Sequence, residues 1–159
     1  MNSQTHSRRK FLAAGTGALA GLAMWSPLKL GAAPDLRVVD FELLPIRATE
    51  RTVWLIVRLQ TDVGLTGLGE ASDAFGFANT TKADASRMES ELRGFFEFIR
   101  GRSPLEIEAF RQRSASSLTS GSLVSATAYS ALEQALWDLA GKALEVPTYV
   151  LFGGATRTQ

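Results

Sequence analysis

The sequence predicts an α+β domain: a three-stranded antiparallel meander followed by a helical bundle that covers it. Three observations predict it. Runs rich in β-branched and aromatic residues fill the first half of the chain after residue 33, and two of them are joined by the turn Asp62-Val63-Gly64. Apolar residues recur at helical spacing through the second half. Gly153-Gly154 then stops the last helical turn.

The elements follow in order. Residues 36–46, rich in Val, Phe and Leu, read as a first strand that ends at Pro45. Residues 52–61 read as a second, with Arg58 and Gln60 on one face and Val57 and Leu59 on the other. Gly64 supplies the positive φ of the turn, and residues 65–71 run back as a third strand. The glycines of that strand, Gly67 and Gly69, predict a neighbour packed closely against its backbone. Met88, Leu92, Phe95, Phe96 and Ile99 form one face of a helix over residues 82–100. Ser103-Pro104-Leu105-Glu106 has the pattern of a capping box with Pro at the first helical position, and so starts a shorter helix. A long helix over residues 123–144 carries the stripe Val124, Ala128, Leu132, Ala135, Leu136 and Leu139, widened by Trp137. A last turn covers residues 148–152.

The first 33 residues are of a different kind. Ser7-Arg8-Arg9-Lys10-Phe11-Leu12 has the pattern read by the twin-arginine export machinery. The stretch that follows, residues 11–28, is rich in Ala and Gly, greasy enough for a signal but poor for a permanent span of about 20 strongly apolar residues. Residues 1–33 are therefore expected to be a twin-arginine signal peptide, with the translocase as export partner and the periplasm as destination. An uncleaved, membrane-tethered form is the competing reading, because Pro34 after Gly31-Ala32-Ala33 makes a poor cleavage site. Gly15-Thr16-Gly17 is set aside as a phosphate loop: no strand precedes it and no Lys-Ser/Thr follows.

Composition narrows the chemistry. The chain holds 17 basic and 16 acidic residues. Arg8, Arg9, Lys10 and Lys29 lie in the leader, which has no acid, so the remainder has 13 basic against 16 acidic residues, a net of −3. Nucleic-acid binding, which needs a basic face, is not expected. There is no cysteine, and the single histidine, His6, is in the leader. Disulfides, thiolate or imidazole metal sites, and Ser-His-Asp or Cys-His catalysis are thereby excluded from the domain.

Three segments carry a family resemblance. They are Thr61-Asp62-Val63-Gly64-Leu65-Thr66-Gly67-Leu68-Gly69-Glu70-Ala71, then Gly101-Arg102-Ser103-Pro104-Leu105-Glu106-Ile107-Glu108, then the run from Ser130-Ala131-Leu132-Glu133-Gln134-Ala135-Leu136-Trp137-Asp138-Leu139-Ala140-Gly141-Lys142 through Val146-Pro147 to Gly153-Gly154. In this order they resemble the N-terminal domain of the mandelate racemase and muconate lactonizing enzymes of the enolase superfamily, over about residues 37–157. The last run is the specific one.

The resemblance implies a cap over the mouth of a β/α barrel. In the complete family enzyme the barrel holds Mg²⁺ on carboxylates. Lysine or histidine bases there remove a proton α to a substrate carboxylate, and metal and lysine stabilise the enediolate. Racemisation, cycloisomerisation or dehydration of an acid sugar follows. The substrate is a small carboxylate or acid sugar. In relatives the first barrel strand begins at about residues 158–159, so residues 34–157 are expected to be the cap domain. This chain is expected to hold no catalytic residue and no metal ligand, and to be inactive alone. Glu145 stands where relatives often close the helix with Gly, which costs about 1 kcal/mol if the left-handed conformation is required.

The resemblance also assigns two substrate loops. One holds Arg47 and Arg51, which either meet an anionic substrate or are solvated surface arginines. The other, residues 73–81, holds Phe75 and Phe77, which either face a substrate pocket or pack within the cap. Glu70, at a strand end beside the implied mouth, either touches substrate or makes structural hydrogen bonds. Glu133 and Asp138 are five positions apart, on different helix faces, and so are read as structural rather than as a shared metal site. A rival reading of the whole is a stand-alone exported interaction domain, or the product of a decayed gene, with its barrel-facing surface covered by a partner or by self-association.

Overall fold

A computed structural model describes residues 34–75, 80–155 and 157. The leader, Phe77 and residues 158–159, with the expectations placed on them, lie outside the described residues.

Three strands open the domain: β1 (Val38–Arg47), β2 (Val53–Thr61) and β3 (Thr66–Glu70), antiparallel in the order β1-β2-β3. The alternation read from β2 holds. Leu55, Val57 and Leu59 are fully buried, and Arg58 and Gln60 are exposed. Pro45 does not end the first strand but lies inside it, opposite Leu55. β1 is an edge strand, where the missing proline N–H is tolerated. Gly64 turns at φ 81°, and its N–H reaches the Thr61 carbonyl at 3.0 Å. Asp62 is structural: its carboxylate accepts the Arg37 N–H at 2.9 Å.

Four helices follow: α1 (Lys82–Phe96), α2 (Ile107–Ser120), α3 (Leu123–Ala143) and the single turn α4 (Thr148–Leu151). α1 and α3 pack on the inner sheet face, and α2 packs on α3. Met88, Leu92, Phe95 and Phe96 of α1 are buried, and Ile99 continues that stripe in the turn beyond the helix, which ends short of residue 100. The stripe expected on α3 is buried throughout. Each large apolar side chain sunk in this core contributes about 1.5–3 kcal/mol.

The start of α1 at Lys82 agrees with the sequence reading, and the start of α2 differs from it. α1 opens on a capping box: the Asp84 N–H donates to Thr81 Oγ1, and the Asp84 carboxylate accepts the Thr81 N–H. The segment Ser103–Glu106 does not start a helix. It closes a turn through the Glu106 N–H and the Ser103 carbonyl (3.1 Å), and Ser103 Oγ accepts from the Leu105 N–H instead. α2 begins at Ile107, whose side chain is buried in the core.

β3 and α3 approach each other closely. A Cβ on Gly67 would lie 2.6 Å from Leu139 Cγ, and one on Gly69 would lie 2.8 Å from the Ala131 carbonyl carbon. Only glycine lets the helix come this near. The approach lets one row of α3 side chains close the free edge of β3. Gln134 Oε1 accepts the Glu70 N–H (3.1 Å), Asp138 Oδ2 accepts the Leu68 N–H (2.9 Å), and Lys142 Nζ donates to the Thr66 carbonyl (2.9 Å). The registers agree physically. Four helical residues rise about 6 Å and two strand residues about 6.6 Å, so an i, i+4, i+8 row matches every second strand residue.

α3 ends in a Schellman motif, with Glu145 N–H to Lys142 O (3.2 Å) and Val146 N–H to Gly141 O (2.9 Å). Glu145 occupies its left-handed position at φ 57°.

Candidate functional site

The strand order decides where chemistry can gather. In an antiparallel meander the β1–β2 loop and the segment leaving β3 lie at the same sheet end, opposite the Asp62–Gly64 turn. The loop of residues 48–52 is closed by Ala48 N–H to Thr52 O at 2.9 Å and by Arg51 N–H to Thr49 Oγ1 at 3.2 Å. The segment after β3 is pinned to β2. The Ala71 N–H donates to the Leu55 carbonyl at 2.8 Å, and Ser72 Oγ accepts the Leu55 N–H at 3.1 Å.

Arg51 is exposed on this loop, and Arg47, expected on it, is instead the exposed last residue of β1, paired with Val53. Arg47 Nη1 reaches the Glu50 carbonyl at 3.5 Å, which turns its guanidinium along the loop. Phe75 closes a 3-10 helix, Ser72–Phe75, where a loop was expected, and its half-buried ring packs against the core. Phe77 lies outside the described residues.

Two open cavities flank this end. On the β1 side, about 240 Å³ is bounded by Arg47, Val53, Thr80, Thr81 and Lys82. Lys82, the first residue of α1, thus joins Arg47 at one opening. It was not singled out in the sequence, where a lysine after a loop carries no signal of its own. On the β3 side, about 450 Å³ is bounded by Glu70, Ser72, Thr127, Ser130 and Gln134. Glu70 takes part in the structural hydrogen bonding through its backbone. Its carboxylate is exposed and has no ion pair or hydrogen bond among the described residues. The polar wall from α3 was hidden in a sequence read for its apolar stripe.

Two acids also stand at this end: Glu50 in the β1–β2 loop, and Asp84, whose carboxyl is held below its usual range by hydrogen bonds from Thr81. Two further titratable groups lie on α2 and α3. The Glu108 carboxyl is held down to about 2 by hydrogen bonds from Arg111 and then from Gln112. The Tyr129 phenol is pushed up to about 12, first by burial and then by the charge of Glu133. A phenol held there carries its proton throughout the neutral range and is a poor general base.

No three ligating side chains converge among the described residues. Asp138 is committed to Leu68 and Lys142, and Glu133 lies on the side of α3 facing Glu108. The described donor set does not fit Mg²⁺, and no step through a metal is derived from it.

Residues 38–153 match the family profile of the mandelate racemase / muconate lactonizing enzyme N-terminal domain. The chain belongs to this family. Among curated relatives, the D-galactonate dehydratase of Variovorax paradoxus (strain S110) is 31% identical over 105 residues, 65% of this chain and 25% of that protein. The D-galactonate dehydratase of Xanthomonas campestris pv. campestris (strain B100) is 30% identical over the same shares. Among solved structures, a mandelate racemase/muconate lactonizing enzyme from Sulfitobacter sp. superposes with a TM-score of 0.64 at 28% identity, over 77% of this chain and 31% of that one. An Agrobacterium radiobacter enolase with a provisional galactarate dehydratase assignment, bound to sodium and L-malate, gives 0.62 at 32% identity over 76% and 29%. The chain thus spans about a quarter of the length of the curated relatives it matches. The three-stranded sheet with its covering helices is the family's N-terminal domain. Within it, Arg47 and Glu70 stand at the sheet end shared by the β1–β2 loop and the segment leaving β3.

Proposed function

We propose that this domain is the substrate cap of an enzyme acting on acid sugars. The reaction would be Mg²⁺-assisted removal of a proton α to a carboxylate, followed by dehydration, with the metal and the bases supplied outside residues 38–153. One observation carries the reading: the β1–β2 loop and the segment after β3 converge on one sheet end, where Arg47 and Lys82 share a single cavity. Two cations at one opening attract a carboxylate and lower the cost of bringing it out of water. The likeness to two D-galactonate dehydratases favours acid sugars over other carboxylates. In this reading Arg47 and Lys82 orient the anion, and Arg51 adds to the field that attracts it.

By itself the chain is a binding element rather than a catalyst. The test is to incubate the 159-residue protein with Mg²⁺ and a panel of acid sugars and racemisable acids. No turnover is expected, and turnover above background would contradict the reading.

A second reading, a self-associating interaction domain, is favoured by the outer sheet face. Ile46, Trp54 and Leu68 stand there 45%, 48% and 50% exposed. Sedimentation decides it, because a strictly monomeric chain at high concentration removes it. The Arg8-Arg9 pair directs the protein to the periplasm in either reading. A reporter fused after residue 33 should lose export when both arginines become lysine.

A further inference from the structure

The α3 flank of the sheet end carries a polar arrangement that anion capture leaves unused. Gln134 is held at both ends of its amide. Its oxygen accepts the Glu70 N–H at 3.1 Å, and its nitrogen donates to Ser130 Oγ at 3.4 Å. That fixes the flip of the amide and leaves one N–H hydrogen uncommitted. The neighbouring Thr127 spends its proton on the Leu123 carbonyl at 2.9 Å. Ser130, about one helical turn further along α3, gives its proton to no carbonyl among the described residues. The Glu70 carboxylate is likewise without a partner among them. All three border the same cavity of about 450 Å³, beside Ser72.

The free groups are thus an anionic acceptor, a hydroxyl that both donates and accepts, and an amide donor. A hydroxyl on a ligand needs both an acceptor for its proton and a donor for its lone pairs, and two adjacent hydroxyls need that set twice. A carboxylate is repelled here by Glu70. A metal ion finds one carboxylate, Glu70, on this wall, and no three ligating side chains converge among the described residues. An apolar group would strand every polar atom on the wall.

We infer that Glu70, Ser130 and Gln134 form a polyol subsite, which takes the hydroxylated carbon chain of a sugar acid and directs its carboxylate away from Glu70. This rests on the proposal that the sheet end closes over an acid sugar, and it adds the residues that tell such a substrate from an unhydroxylated acid. A charge-assisted hydrogen bond lost from such a site weakens binding by roughly tenfold.

The test uses two ligands on the full chain, followed by amide NMR. Galactitol, a neutral hexitol, tests the subsite alone. Galactarate tests the subsite and the anion reading together. Galactitol is expected to shift the Gln134 side-chain amide and the Glu70 and Ser130 backbone amides in a saturable way. Glu70→Gln and Ser130→Ala should each weaken that response by roughly tenfold, with the remaining spectrum unchanged as evidence of folding. Galactitol shifts that are absent, that scatter over other surfaces, or that survive both substitutions overturn the inference. If galactarate still moves Arg47 and Lys82 in that case, the cap reading stands and only the polyol subsite falls. If galactitol moves the groove and galactarate leaves Arg47 and Lys82 unmoved, the subsite stands and the anion reading falls.

Discussion

At the scale of single residues, backbone proximity sets the constraints. Gly69 lies under the Ala131 carbonyl, and a backbone obstacle cannot swing aside as a side chain can. Gly69→Ala should therefore lower unfolding stability by about 3 kcal/mol, the upper part of the usual range for overpacking, as read from urea denaturation. Glu145 is the opposite case. It holds φ 57° at the left-handed position that closes α3. Glu145→Gly should stabilise the fold by about 0.5–1 kcal/mol, seen as a higher melting temperature. Gly69 was legible in the sequence because a glycine in a strand breaks a local rule, and Glu145 because the family resemblance implies a Gly there. Ser103 was misleading for a related reason. Its capping pattern is complete in sequence, yet the Glu106 carboxylate lies 3.9 Å from both Arg102 and Arg113 instead of capping Ser103, and Ile107 fixes where the helix enters the core. Tertiary packing decided a start that local chemistry alone would have placed three residues earlier.

At the scale of elements, the β3–α3 clasp gives the most distinctive sequence of the chain a structural task. The row Gln134, Asp138, Lys142 satisfies the edge of β3, and the row Ala131, Ala135, Leu139 lies against its glycines. Asp138→Ala strands the Leu68 N–H and breaks the contact with Lys142, so a loss of about 1–3 kcal/mol is expected in denaturant melts. Asp138→Asn keeps an acceptor for Leu68 and should lose only about 0.5 kcal/mol. The periodicity of α3 was plain in the sequence, whereas its pairing with β3 was not, because nothing local relates residues 64–76 positions apart. The first turn of α2 makes a pH prediction. The folded chain binds the Glu108 proton more weakly than an unfolded chain does, since the carboxyl lies at about 2 rather than 4.5. Its contribution therefore favours the fold above about pH 4.5 and is lost as the pH falls through about 2. A carboxyl ¹³C titration should show a midpoint near 2, and Arg111→Gln should move it back toward 4.5.

At the scale of the whole molecule, α1 and α3 pack on the inner face of one sheet, and the β1–β2 loop and the segment after β3 lie at one of its ends. The α+β class, the strand order and the nature of Gly67 and Gly69 were all readable from residue patterns. The site was readable only in part. Arg47 and Arg51 stood out because charged residues in a short loop between strands have nowhere to be but the surface. Lys82, Ser130 and Gln134 did not, because their role depends on which helix face meets the sheet end. The central claim is that this end caps an acid sugar through Arg47. Its most direct test is the KM of a chimera in which residues 38–153 replace the matching segment of the Variovorax paradoxus D-galactonate dehydratase. A folded, Mg²⁺-dependent dehydratase of an acid sugar is expected, whose KM rises about tenfold on Arg47→Ala while kcat changes little. A folded chimera that turns over no acid sugar, or one whose KM is indifferent to Arg47, would contradict it.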